Sequence, residues 1–240
     1  VATIFVTATD TDAGKTYVSA GLLRALRAAG VDAVGFKPVA SGSEPDADGA
    51  LRNADALALR AAAPTALPYA ATNPYCYAPA IAPHIAAAEA GEQIDPQRLL
   101  AAHAALSQAH QVVLAEGAGG WLTPLNPQLR LGDWVAAQGW PVLLVVGLRL
   151  GAINHALLTA EAIRARSPML GWVANLGAEP MTRWQSNLAC LSEQLGPPLW
   201  CQAPQAATPI EAIAQLKAAV SALRGSDFSA LQLGLAPIAP

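Results

Sequence analysis

Residues 141–147, "PVLLVVG", are apolar at every position, where a strand with one wet face would alternate. Such a run must be covered on both sides, which points to a parallel sheet with crossover helices above and below it. The rest of the chain supplies both parts. "TIFVT", "AVGFKPV" (ended by Pro38), "QVVLAE", "LGWVAN" and "PLWCQ" predict five more strands. "KTYVSAGLLRALRAAG" puts Val18, Leu22, Ala25 and Ala29 on one helical face and stops at Gly30. "GALRNADALALRAA" reads as a helix before Pro64. Pro83 and Gly91 bracket another, and Asp95-Pro96 supplies the next with an N-cap and a favourable first position. "GAINHALLTAEAIRAR" is helical, as is 181–195, where Trp184, Leu188, Leu191 and Leu195 fall in register. Thr208-Pro-x-Glu211 opens a last helix with a capping box. Residues 64–82, rich in proline and tyrosine, read as irregular. The expected fold is α/β, a mostly parallel sheet with helices on both faces, in one domain over residues 1–225 with an unassigned tail at 226–240.

Composition removes several classes of function. Hydrophobic residues make up 53% of the 240 and charged residues 13%, enough to bury a sizeable core. The net charge of −3 leaves no basic footprint for nucleic acid or an anionic membrane. The longest apolar run falls far short of the roughly 20 residues that span a bilayer. "VATIFVTATD" carries neither a basic region nor a small-residue cleavage pattern, so no signal peptide is expected. Cys76, Cys190 and Cys201 are odd in number and widely spaced, which suits buried thiols in a reducing cytoplasm.

The chemistry begins at "TATDTDAGKT". A strand precedes it and a helix follows, the setting a phosphate-binding loop requires. Helix-start N–H groups would face phosphates, Lys15 would bridge the β- and γ-phosphates, and the Thr16 hydroxyl would ligate Mg²⁺. The common pattern wants a glycine five places before Gly14, where Thr9 stands. A loop one residue longer moves that place to Ala8, which is acceptable only if position 8 avoids φ > 0. Further along, Glu116 closes an apolar strand in "VLAEGAGG", where a metal-binding carboxylate belongs, and Gly117, Gly119 and Gly120 permit close ligand approach. Lys37 ends the second strand and Ser41 lies four residues on. Asp55 sits on an alanine-rich helix. Alone, that lysine and that aspartate would read as solvated surface groups.

Together, "TDTDAGKT", "GFKPVASGSE", "LRNADALAL", "NPYCYAPAIAPH", "EGAGGWLTPL", "VVGLRLGAINHALLT" and "GWVAN" resemble the dethiobiotin synthetases, in order over residues 3–211. "KPVASGSE" and "EGAGGW" are the specific parts of the match. That family also has the lengthened loop; Ala8 stands for its usual glycine, and Asp12 for a common glutamate. The resemblance implies a P-loop homodimer that joins CO₂ to 7,8-diaminononanoate with MgATP. A carbamate forms, takes the γ-phosphoryl group, and is closed to a cyclic urea by the second amine. It implies Lys37 and Lys15 as catalytic cations and Thr16, Asp55 and Glu116 around Mg²⁺. Substrate contacts would come from Thr11, Ser41 and a partner subunit's Gly151, Ala152, Ile153 and Asn154, at a helix start suited to a carboxylate. Nucleotide contacts would come from Asp12, Ala13, Gly14, Lys15, Thr16, Tyr17, Asp55, Glu116, Gly117, Ala118 and Gly119. At the base they would come from Asn175, Leu176, Pro204, Gln205, Ala206 and Glu211, although Glu211 also closes the capping box. His155 reads as structural or interfacial. The alternatives are another P-loop amidoligase, which would lack "KPVASGSE", a nucleotide-switched partner-binding ATPase, or a binding module without turnover. The switch ATPases carry an extra lysine early in the loop, and none stands between Ala8 and Gly14.

Overall fold

The computed structural model describes residues 1–63, 65–196 and 199–204. Six parallel strands form the central sheet: β1 (Ala2–Ala8), β2 (Ala33–Phe36), β3 (Val112–Glu116), β4 (Val142–Gly147), β5 (Met169–Gly177) and β6 (Leu199–Pro204). Their spatial order is β2-β3-β1-β4-β5-β6. Growth on one side of β1 is followed by growth on the other, so β1 stands where strand order reverses, the place where open α/β sheets bind ligands.

Side chains alternate between two cores. Ile4, Val6, Leu114, Leu143, Val145 and Val173 face one layer; Phe5, Val113, Ala115, Leu144, Val146 and Trp172 face the other. The first layer is covered by α1 (Lys15–Ala28) and α2 (Ala54–Ala62). The second is covered by α3 (Pro83–Glu89), α4 (Pro96–Ala109), α5 (Leu131–Ala137), α6 (Ala152–Arg164) and α7 (Trp184–Leu195). The doubly apolar β4 is therefore central and covered on both sides, as its sequence requires. Each fully buried Leu or Val contributes about 1.5–3 kcal/mol.

Several boundaries differ from the sequence reading. The helix expected from Gly49 begins at Ala54, because the Asn53 side chain accepts from the N–H groups of Asp55 and Ala56 and caps it there. Leu51–Arg52 instead pairs with Glu44–Pro45 in an antiparallel ribbon. Residues 64–82 are not wholly irregular: Tyr69–Thr72 is a helical turn, and Tyr75–Cys76 pairs in parallel with Val39–Ala40. Helix α5 and the Pro124–Asn126/Leu129–Arg130 ribbon carried no signal strong enough to predict. Cys76 and Cys190 are free and only half-buried, not buried as expected; the Cys201 side chain lies outside the described residues. So do the Thr208–Glu211 capping box, the domain limit at 225 and the tail.

Candidate active site

The phosphate loop leaves β1 at Ala8, which is buried and pairs with Val145. Among the described residues the non-glycines with positive φ are Asp12 (φ 59°) and Arg183. Ala8 is thus extended strand, and alanine there meets no conformational penalty. Asp12 takes the left-handed conformation instead, which aspartate tolerates better than most residues. Gly14 has φ 92° and forms the N-cap of α1. Lys15 is buried, and its Nζ donates to the Asp10 carbonyl at 3.1 Å. Burial, then the charge of Lys37, lowers its pKa to about 8.

Lys37 follows β2 on a backbone held from both sides. Its N–H donates to the Thr72 carbonyl at 2.8 Å, and its carbonyl accepts from Asn73 Nδ2 at 2.8 Å. The buried ammonium donates to Glu116 Oε1 at 2.7 Å, Asp55 Oδ2 at 2.8 Å and the Gly117 carbonyl at 3.1 Å. Burial alone would lower its pKa; the attraction of Glu116, then of Asp55, more than reverses that and holds it above the usual lysine value. Burial would likewise raise Asp55, but Lys37 beside it and the Thr16 hydroxyl keep its carboxyl below the ordinary range.

Three elements deliver the carboxylates and hydroxyl. Asp55 lies in the first turn of α2, and the close approach of α2 to β2 depends on Gly35, where an added Cβ would stand 2.7 Å from Leu59 Cβ. Glu116 ends β3 opposite Val6 and is fully buried. Its Oε1 also accepts from Thr16 Oγ1 at 2.7 Å, whereas its Oε2 is buried without a partner. Lys15, Thr16, Lys37, Asp55 and Glu116 therefore meet in one cleft at the carboxyl edge of the sheet. Both ammonium groups feel both carboxylates and each other.

The remaining predicted positions surround that centre. Gly117 is buried and Ala118 and Gly119 are half-buried; the Gly117 N–H donates to the Val6 carbonyl at 3.0 Å. Thr11 is exposed, with its N–H on Asp10 Oδ1 at 2.8 Å, and Tyr17 is half-buried on α1. Ser41 is half-buried and its carbonyl accepts from Asn53 Nδ2 at 3.3 Å, so one asparagine caps the Asp55 helix and holds the Ser41 loop. Gly151 is the N-cap of α6 with no side-chain cap; Ala152 is buried, Ile153 half-buried, and Asn154 and His155 exposed. Arg149, just before that helix, forms an ion pair with Asp10 of the phosphate loop. Asn175 is buried at the end of β5, and Leu176 is a buried core residue. Pro204 ends β6 beside Gly177, its side chain outside the described residues, as are Gln205, Ala206 and Glu211 altogether. Sequence reasoning missed Asn53, Asn73, Asp10 and Arg149. Only the Asn53 cap, two residues before Asp55, left a readable signal.

A family model described as an AAA domain matches residues 2–215. The ATP-dependent dethiobiotin synthetase BioD of Serratia marcescens is 47% identical over 210 residues, 85% of this chain and 92% of its own. That of Pseudomonas aeruginosa (strain UCBPP-PA14) is 49% identical over 216 residues, 88% of this chain and 94% of its own. The chain belongs to the dethiobiotin synthetase family. Two solved structures share its fold at lower identity. A ParA family ATPase from Chlorobium tepidum TLS has a TM-score of 0.54 at 11% identity, over 93% of each chain. Cobyrinic acid a,c-diamide synthase from Mycobacterium smegmatis has 0.52 at 13% identity, over 93% of this chain and 94% of its own. At these identities both speak for the P-loop α/β fold and nothing finer. Among the described residues no helix is long and apolar enough to cross a membrane.

Proposed function

We propose that this family member joins CO₂ to 7,8-diaminononanoate and closes the cyclic urea of dethiobiotin, using ATP, with Lys37 and Lys15 as its catalytic cations. One amine adds to CO₂ and loses a proton, giving a carbamate. A carbamate oxygen attacks the γ-phosphorus, ADP leaves, and a carbamic–phosphoric anhydride remains. The second amine attacks the carbonyl carbon, and the C–O bond to phosphate breaks as the ring closes.

The middle step drives one anion against another, so the site must supply positive charge in a dry place. Lys15, at the start of α1, would lie beneath the phosphates. Lys37 approaches from β2 and would hold the carbamate oxygen and the transferred phosphoryl group. Holding both reactants in line supplies much of the remaining acceleration. The observation that carries this reading is the placement of the Lys37 ammonium, bonded to Glu116 and Asp55 beside the Thr16 hydroxyl of the phosphate loop.

Mg²⁺ suits the donors present. Thr16, Asp55 and Glu116 offer oxygen ligands, and Glu116 Oε2 is a buried acceptor still lacking a partner. Among the described residues no group of three His, Cys, Asp or Glu side chains forms a metal site by itself, as befits an ion completed by phosphates and water. Bound with the nucleotide, it would neutralise charge on the phosphate oxygens.

The diamine's carboxylate fits the uncapped start of α6, at Gly151, Ala152, Ile153 and Asn154, contributed by the second subunit of a homodimer. The exposed Leu150 and Leu158 on that edge support such a contact. Thr11 and Ser41 would complete the diamine site, and the base would lie along Asn175, Leu176 and the segment from Pro204 to Glu211. Free Cys76 and Cys190 agree with a cytoplasmic enzyme. The test is phosphate release with purified chain: it should require both diamine and bicarbonate. Rapid release without the diamine, stimulated by a protein or DNA partner, would instead identify a switch ATPase.

A further inference from the structure

The side chain of Asn175 faces the phosphate loop. It is buried, and its Nδ2 donates to the Ala13 carbonyl at 2.9 Å across 162 positions of sequence. Its Oδ1 accepts from the Gly177 N–H at 3.3 Å. Its own carbonyl accepts from the Leu148 N–H at 2.8 Å, at the start of the segment that leads to α6. The amide also packs against Gly14: a Cβ there would stand 2.9 Å from Asn175 Cγ and closer still to Nδ2. Loop and amide cannot move independently.

The Ala13 carbonyl and the Gly14 N–H belong to one planar peptide unit and point in opposite directions. Fixing the carbonyl on β5 therefore fixes the direction of the N–H. Gly14, at φ 92°, has the freest backbone in the loop, so this peptide is the one most in need of an external tether. We propose that Asn175 is a positioning residue for the phosphate loop, aiming the Gly14 N–H at the triphosphate whatever base is attached. This rests on the nucleotide reading above but asks more of Asn175 than a base contact. A side-chain amide has two donor hydrogens and two acceptor lone pairs, so one of each is left for a base. The residue can thus join base recognition to phosphate recognition in one site.

Binding of inorganic tripolyphosphate with Mg²⁺, which has no base, tests the proposal against binding of MgATP. Calorimetry on the full chain should find tripolyphosphate binding weakened by about tenfold in Asn175→Ala, the scale of one buried hydrogen bond lost, and MgATP binding weakened at least as much, because the base contact goes with it. Should the alanine variant fail to fold, Asn175→Thr, whose branched side chain suits a strand, carries the same comparison. Loss of ATP affinity with tripolyphosphate binding intact would overturn the proposal and leave a base contact alone. Unchanged affinity for both ligands would also overturn it. Failure of the wild-type chain to bind either ligand would instead count against the nucleotide reading itself.

Discussion

Lys15, at the start of α1, donates to a single carbonyl. Lys37, past the end of β2, donates to two carboxylates and a carbonyl. Both are buried in the same cleft, and burial is the largest influence on each; for Lys37 the combined attraction of Glu116 and Asp55 outweighs it, so the two pKa values move in opposite directions. The cleft holds one cation short of counter-charge and one already neutralised. An incoming triphosphate would improve the situation of Lys15 at once. In the proposed role Lys37 would serve the reacting oxygens as a member of a charged cluster, and its removal would disturb that whole cluster.

The sharpest break in this contrast is Lys37→Ala. It should lower kcat by about 10² or more, the scale of a lost charge-stabilising donor, with nucleotide affinity largely kept. Because Glu116 would be left buried without its cation, stability should also fall by about 3 kcal/mol, measured by urea unfolding. A near-normal kcat would remove Lys37 from the mechanism. Next in size, Glu116→Ala should raise the Mg²⁺ concentration needed for half-maximal rate by about tenfold, in line with the loss of a metal-site partner. An unchanged Mg²⁺ titration would take Glu116 out of the metal shell.

Much of this contrast was visible in the amino-acid order. The phosphate loop and Glu116 lie at strand ends, where local pattern and the logic of parallel sheets agree; Lys37, also past a strand end, reads alone as a solvated lysine until the family pattern singles it out. The doubly apolar β4 made its own position in the sheet plain. Asp55 was harder, since one acid on an alanine-rich helix looks like any solvated face; only the family pattern singled it out. The supports were less accessible still. Asn73 holds the Lys37 carbonyl across 36 positions, and Asn175 reaches Ala13 across 162, distances that no local periodicity spans. Helix α5 escaped notice because its seven residues carry no side-chain cap and too few turns to establish a period.

The pH dependence should separate the two lysines by sign. In the folded chain Lys15 loses its proton near pH 8, but in the unfolded chain near 10.5. Between those values the unfolded state binds more protons, so this residue makes stability rise with pH across the window. Lys37, raised in the folded state, contributes stability present below its ordinary 10.5 and lost as pH climbs through its higher folded value. A Lys15→Met variant should therefore lose the rise between pH 8 and 10.5. In the wild type, MgATP binding near pH 9 should take up protons, because phosphate favours the charged lysine. Calorimetry in two buffers of different ionisation enthalpy measures that uptake, and none at pH 9 would mean that Lys15 is already fully charged.

The smallest effect concerns how the burden on Lys37 is divided. Glu116 is fully buried, whereas the Asp55 side chain is 43% exposed. Water and salt screen the exposed member, so Asp55→Asn should cost about 1 kcal/mol or less, within the range of exposed ion pairs. The asparagine would still stand in the first turn of α2 under the Asn53 cap, and Lys37 would keep Glu116 and the Gly117 carbonyl. Urea unfolding of Asp55→Asn beside Lys37→Ala decides the division. If the two lose equal stability, Asp55 rather than the buried glutamate is the principal anchor of Lys37, and the contrast drawn between a screened and a dry partner fails. If Asp55→Asn is mild, raising the salt concentration should shrink its effect further, whereas the penalty of Lys37→Ala, set by a carboxylate that solvent does not reach, should hardly change.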